Sequence, residues 1–179
     1  PYFNDENHSI SYGAFISEIN DNDVMSNSYE ISTKGLSLGY GFPLTENTRI
    51  NSKLEYAKND ITCGSGFSAS GYEPNQCATS SNDEVALSVN WSESTLNDYM
   101  YPTDGRSNVF GINLALPLGD YRYFNINANH KSYKPISNDL TLKLTGDLGL
   151  AKGYDGKELP FFKRFFGGGS GSVRGFGNK

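Results

Sequence analysis

Apolar and polar residues alternate along much of this chain with a period of two, the spacing that gives a strand one oily face and one wet face. Between Leu140 and Leu150 the residues Leu140, Leu142, Leu144, Leu148 and Leu150 share a face with Gly146. Thr141, Lys143, Thr145, Asp147 and Gly149 share the other. In the same way Val85, Leu87, Val89 and Trp91 alternate with Glu84, Ala86, Ser88, Asn90 and Ser92, and Ile50, Leu54 and Tyr56 oppose Arg49, Asn51, Lys53 and Glu55. Weaker rows run through Ile10–Ile16, Leu36–Phe42, Phe110–Leu116 and Phe124–Ala128. A helix would scatter each set around its axis, so the pattern predicts about seven strands of roughly 9–13 residues, nearer to membrane-barrel strands than to the shorter strands of soluble sheets.

Alternation alone also fits a sandwich whose polar face meets bulk water. Composition tips the balance. The residues AVILMFWYC make up only 36% of the chain, aromatics 13%, and there are 20 glycines among 179 residues. A large two-sided soluble core is hard to build from that mixture, and the aromatic content is too high for a disordered chain. Lys53, Glu55, Lys143 and Asp147 stand in mid-strand on the polar rows, as they would around a watery lumen, and Tyr40, Phe42 and Trp91 fall at strand ends, where an interfacial aromatic girdle would sit. The expected fold is all-β, an antiparallel transmembrane β-barrel segment over residues 1–152, followed over 153–179 by a Gly- and aromatic-rich loop.

The connections are expected to alternate: a polar loop from Asn20 to Ser28, a tight turn over Pro43–Asn47, a long loop from Ile61 to Asn82, a turn within Ser94–Gly105, a short link at Gly119-Asp120 and a turn over Pro135–Asp139. Long loops on one side and mostly compact turns on the other suit a membrane barrel. The ends, Pro1-Tyr2-Phe3 and Gly177-Asn178-Lys179, carry no leader pattern, and the expectation is a piece of a longer protein.

Charge and motifs exclude several functions. A net charge of −5 offers no basic face for nucleic acid. The run Gly167–Gly171 lacks the Lys-Ser/Thr and helix of a phosphate-binding loop, and no Gly-x-Ser-x-Gly elbow occurs. His8 and His130 have no Ser/Asp arrangement beside them; His8 is expected at a strand start and His130 on the lipid-side row near the interface. Asn20-Asp21-Asn22-Asp23 lacks calcium-loop spacing and reads as a solvated acidic loop, with divalent-bridged contact to lipopolysaccharide as the alternative. No enzyme, metal or cofactor is expected. Cys63 and Cys77 share the long loop; free thiols would suit a cytosolic chain, but in an exported loop a disulfide is expected, contributing roughly 3 kcal/mol against the open loop.

The tail holds the most specific motif. Leu159-Pro160-Phe161-Phe162-Lys163-Arg164-Phe165-Phe166-Gly167-Gly168-Gly169-Ser170-Gly171-Ser172-Val173-Arg174-Gly175-Phe176 resembles the sixth extracellular loop of the BamA family of outer-membrane barrel insertases, with one extra Gly before Ser170. Tyr101-Pro102-Thr103-Asp104-Gly105 is similar to that family's periplasmic Pro-Thr-Asp-Gly turn. The resemblance covers essentially the whole chain. It implies a barrel of about sixteen strands, of which these would be the fifth to the eleventh, located in the bacterial outer membrane. It implies a role in folding and inserting barrel proteins, with a transport barrel of the same superfamily that exports polypeptides as the alternative. It also implies as partners outer-membrane lipids and lipopolysaccharide, nascent barrel proteins and, mainly through periplasmic domains, accessory Bam lipoproteins.

The chemistry of Arg174 is legible by itself: five fixed donors suit a buried carboxylate, and Gly175 lets the backbone approach closely. Phe161, Phe162, Phe165, Phe166 and Phe176 can pack the loop on a wall, while Gly167 to Gly171 lets it fold back. The resemblance implies that the loop enters the lumen and that acidic residues of later strands hold the arginine; Asp147 and Glu55 are local candidates. The plainer reading is an exposed arginine in a Gly-rich loop.

Overall fold

A computed structural model of the chain describes residues 7–23, 27–63 and 79–165. Seven strands form one antiparallel sheet in sequence order: β1 (Ser9–Asp23), β2 (Asn27–Thr45), β3 (Thr48–Cys63), β4 (Ser80–Ser94), β5 (Gly105–Ala115), β6 (Tyr123–Ser137) and β7 (Leu140–Gly153). Each strand pairs only with its chain neighbours, the meander of an up-and-down barrel wall. A single 3-10 turn, Phe161–Lys163, follows.

The strands are longer than the apolar pattern predicts, running from 11 to 19 residues. The polar stretch expected as a loop from Asn20 to Ser28 is mostly ladder: Asn20 pairs with Glu30 and Asp23 with Asn27. Backbone bonds do not need apolar side chains, so a hairpin can continue past the oily band. At the other end, β2 runs to Thr45 through Pro43, which sits at a register shift where a missing N–H is tolerated. The turn there narrows to Glu46-Asn47, and β6 likewise continues to Ser137.

The two faces are chemically opposite. Register carries one outward row from Phe42 through Ile50, Trp91 and Phe110 to Ala128 and Leu148, so Phe42, Trp91 and Phe110 lie along one belt. These outward side chains have no cover: Tyr12 is 89% exposed and Leu148 78%. A water-facing sheet would not leave such a surface open, whereas a wall against hydrocarbon presents it everywhere. The opposite face carries Lys53, Glu55, Asn90, Asn113, Asn125, Asn127 and Asp147 in the alternate positions, with Lys53 and Glu55 ion-paired at 2.6 Å.

Toward the long-loop end this inner face turns apolar. Ile31 and Ile61, cross-strand partners, are buried together with Phe161 from beyond β7. That cluster is what brings the tail of the chain inside.

Candidate functional site: the loop base on the inner face

After β7 the chain reverses. Asp155 and Gly156 both take positive φ, the Tyr154 amide donates to the Arg122 carbonyl at 3.0 Å, and the Lys157 amide donates back to the Tyr154 carbonyl at 3.1 Å. The Tyr154 hydroxyl donates to the Ala115 carbonyl at 2.5 Å, and Arg122 stands 3.9 Å from Asp155. The reversal is thus tied to the ends of β5 and β6. Pro160 then redirects the segment and Phe161–Lys163 drops onto the inner face.

Four side chains fix it there. Phe161 meets Tyr29 edge-on at 5.1 Å and packs on Ile31 and Ile61. Phe162 meets Phe161 at 5.4 Å and Tyr121 at 5.8 Å. Such aromatic pairs add to the apolar burial itself. Burial pushes the Tyr121 hydroxyl's pKa up, so that ring meets the loop uncharged. Phe165 lies over Gly149 of β7, where no side chain interferes.

The fourth contact is ionic. Lys163 Nζ stands 3.0 Å from Glu84 Oε2 and 3.1 Å from Oε1, with its ammonium 5.6 Å from the ring centres of Tyr123 and Phe162. Glu84 is 4% exposed, an expensive place for a carboxylate unless it is fully engaged. It is engaged three ways: Lys163 pairs with it, the Tyr123 hydroxyl donates to Oε1, and Asn59 Nδ2 donates to Oε2 at 3.4 Å. Asn59 itself accepts from Thr33 Oγ1 at 2.9 Å. One carboxylate therefore gathers β2, β3, β4, β6 and the loop.

Of the residues that the sequence singles out, the structure brings Phe161, Phe162 and Phe165 together on this wall. Phe166, Gly167, Gly168, Gly169, Val173, Arg174, Gly175 and Phe176 lie outside the described residues. Of the local candidates for Arg174, Glu55 is paired with Lys53, and Asp147 accepts from the Asn129 amide. Cys63 ends β3, while Cys77 lies outside the described residues. Sequence reading missed Glu84, Lys163 and Asn59 as a unit. Glu84 is one polar-row residue among many until register places Tyr123 and the loop against it.

At the opposite end, residues 95–104 form a self-bonded turn organised by Asn97. Its Oδ1 accepts from the Thr103 and Asp104 amides at 3.0 and 3.1 Å, and its Nδ2 donates to Thr103 Oγ1 at 2.7 Å. Asp98 Oδ1 accepts from the Met100 and Tyr101 amides at 2.7 and 2.8 Å, which holds its carboxyl below the usual aspartate range. Gly105 has φ +101°, and a Cβ there would stand 2.2 Å from the Thr95 carbonyl oxygen. Pro102 therefore sits in a turn whose shape is set by Asn97 and Gly105. His130 is on the outward row, its Nδ1 2.6 Å from Asn108 Oδ1, and His8 precedes β1 with its Nδ1 2.6 Å from the Tyr40 hydroxyl. Among the described residues no group of three or more His, Cys, Asp or Glu side chains is placed to hold a metal.

Comparison with known proteins places this geometry. A family described as the Omp85 superfamily domain matches residues 1–179. The outer membrane protein assembly factor BamA of Neisseria meningitidis serogroup B is 28% identical over 201 aligned residues, covering 98% of this chain and 24% of that protein. The crystal structure of BamA from Haemophilus ducreyi lacking POTRA domains 1-3 superimposes with a TM-score of 0.86 at 26% identity, covering 99% of this chain and 36% of that one. The chain thus spans about a quarter of the curated relative's length and about a third of that solved chain.

Proposed function

The chain belongs to the Omp85 superfamily and is a wall of an outer-membrane β-barrel, and from that premise we propose that it forms the middle strands of the barrel subunit that folds and inserts other barrel proteins into the outer membrane. On this reading its parent works without nucleotide or catalytic residue. Residues 1–152 supply the wall and 153–179 the loop that folds into the lumen. Nascent barrel proteins are its clients, lipids and lipopolysaccharide its surroundings, and Bam lipoproteins its accessory partners through periplasmic domains elsewhere in the parent.

The observation that carries the proposal is the inward fold of Pro160–Phe165 onto the polar face, clamped by Glu84, with the Val-Arg-Gly-Phe motif starting eight residues after Phe165. A loop committed to the lumen at its base delivers Arg174 among lumen side chains, where a guanidinium finds carboxylates with little water between them.

The test is depletion of the parent protein with rescue by plasmid-borne variants. Loss of several unrelated outer-membrane barrels on depletion, restored by the wild type and poorly by Arg174→Ala, supports the assembly role. Loss of one exported polypeptide with other barrels unchanged overturns it in favour of a dedicated exporter. Rescue by Arg174→Ala at the wild-type level removes the anchoring role from the motif.

A further inference from the structure

The outward face carries a charge arrangement that the fold does not explain. Lys34 of β2 and Lys58 of β3 are direct cross-strand partners. Both belong to the outward row, since Leu36 and Tyr56, two residues along each strand, are partners on that face. Like charges opposite each other are destabilising in a sheet, with β-carbons only about 5 Å apart. Both lysines are exposed, and neither makes an ion pair or hydrogen bond among the described residues. Lys34's other neighbour is Ile16, which offers no charge. Lys58's other neighbour is Asp83, which accepts from the Tyr56 hydroxyl at 3.2 Å. Glu18 and Asp60 stand on the same row, two residues nearer the loop end.

Immediately on the membrane side of this pair lies a groove of about 490 Å³, lined by Tyr12, Ala14, Leu36, Leu38, Leu54 and Tyr56 among others. Its floor follows from Ala14, a small residue on the outward row whose neighbours Tyr12, Ile16 and Leu36 are large. Polarity changes sharply along one line: two ammonium groups, then an apolar trough running toward mid-membrane. Because two-residue turns follow β2 and β6 at one end of the wall, whereas the long connection of residues 64–79 follows β3 at the other, this end of the wall belongs to the outer leaflet.

We propose that this surface binds a phosphorylated, acylated glycolipid of the lipopolysaccharide class, with Lys34 and Lys58 sharing a phosphate and the groove taking an acyl chain. A phosphate between the two ammonium groups converts their repulsion into two charge-assisted hydrogen-bonded contacts. The acyl chain fills a recess that straight lipid neighbours would leave poorly packed. The proposal rests on the outer-membrane placement of the wall and not on the assembly role, so it stands or falls separately from that reading.

The test uses the full-length parent protein, purified in detergent, with lipid A as the probe and native mass spectrometry as the readout. Lys34→Gln/Lys58→Gln should retain at least about tenfold less lipid A, the loss of one to two charge-assisted contacts. Lys34→Arg/Lys58→Arg should retain it, Lys53→Gln on the inner face should match wild type, and dephosphorylated lipid A should bind wild type as weakly as lipid A binds the Gln pair. Heat-modifiable migration on gels reports folding independently, and if the double Gln variant does not fold, each single Gln variant should show part of the loss. Wild-type retention by the Gln variants overturns the proposal. So does equal retention of phosphatidylglycerol and lipid A by the wild type, which would mean a surface that takes any anionic lipid.

Discussion

Phe165 occupies the space above Gly149 that a side chain would fill: a β-carbon on that glycine would stand 2.8 Å from the ring. The glycine is a seat for the loop. Gly149→Val should force the ring off and expose the segment after β7, with little loss of global stability because the displaced ring is the far end of a half-exposed side chain. Limited proteolysis of the folded parent protein should then cut near residues 160–165 faster than in wild type, and an unchanged rate would show that Phe165 is not a fastening point.

The clamp at Glu84 predicts a non-additive pair. Lys163→Met leaves a buried carboxylate with only Tyr123 and Asn59, and should destabilise the barrel by about 1–3 kcal/mol, below the 3–5 typical of a fully buried pair because Lys163 is partly solvated. Adding Glu84→Gln removes the stranded charge, so the double variant should be no less stable than Lys163→Met alone. Urea unfolding of the four proteins in a double-mutant cycle gives the coupling directly. A coupling near zero would mean that the phenylalanines alone hold the loop.

In the 95–104 turn, Gly105→Ala should be costly, more than about 1 kcal/mol, since φ +101° and the Thr95 carbonyl both oppose a side chain. Asn97→Ala should have an effect of similar direction by freeing the Thr103 and Asp104 amides. Thermal unfolding of the two variants beside Pro102→Ala checks the order; a Pro102 variant worse than both would return the shape of the turn to its proline.

The same turn should respond to acid. Asp98 is held below its ordinary pKa by amide bonds to Tyr101 and then Met100. A lowered carboxylate stabilises the turn at pH above its unfolded value, and the contribution fades as pH falls through the folded one. Amide exchange at Met100 and Tyr101, corrected for intrinsic rates, should therefore lose protection on acidification. Asp98→Asn should flatten that dependence; a dependence that persists in Asp98→Asn would assign it to another group.

For Cys63 and Cys77 we expect one disulfide. A thiol titration of the unfolded, unreduced parent should find neither thiol reactive, and reduction should release both.

Much of this wall could be read from the chain because hydrocarbon imposes a strict code. Leu140 to Leu150 and Val85 to Trp91 alternate without fault, since any polar residue on the outward face would meet lipid. Where lipid ends, the code ends, so Asn20–Asp23 looked like a loop although the ladder continues through it. The Glu84 clamp was invisible for a different reason. Residues 84 and 163 are 79 positions apart, and their meeting depends on strand register and on the reversal at Asp155-Gly156, neither of which the alternation encodes. Asn97 was hidden beside a more familiar Pro-Thr-Asp-Gly string, its side-chain amide doing what the backbone usually does.

The asparagines of β4–β6 carry one last consequence. Asn90, Asn113, Asn125 and Asn127 present amides where most channels present ions. Amides neither titrate nor gather counterions, so these four side chains offer the same donors and acceptors in acid or alkali, in brine or in dilute buffer.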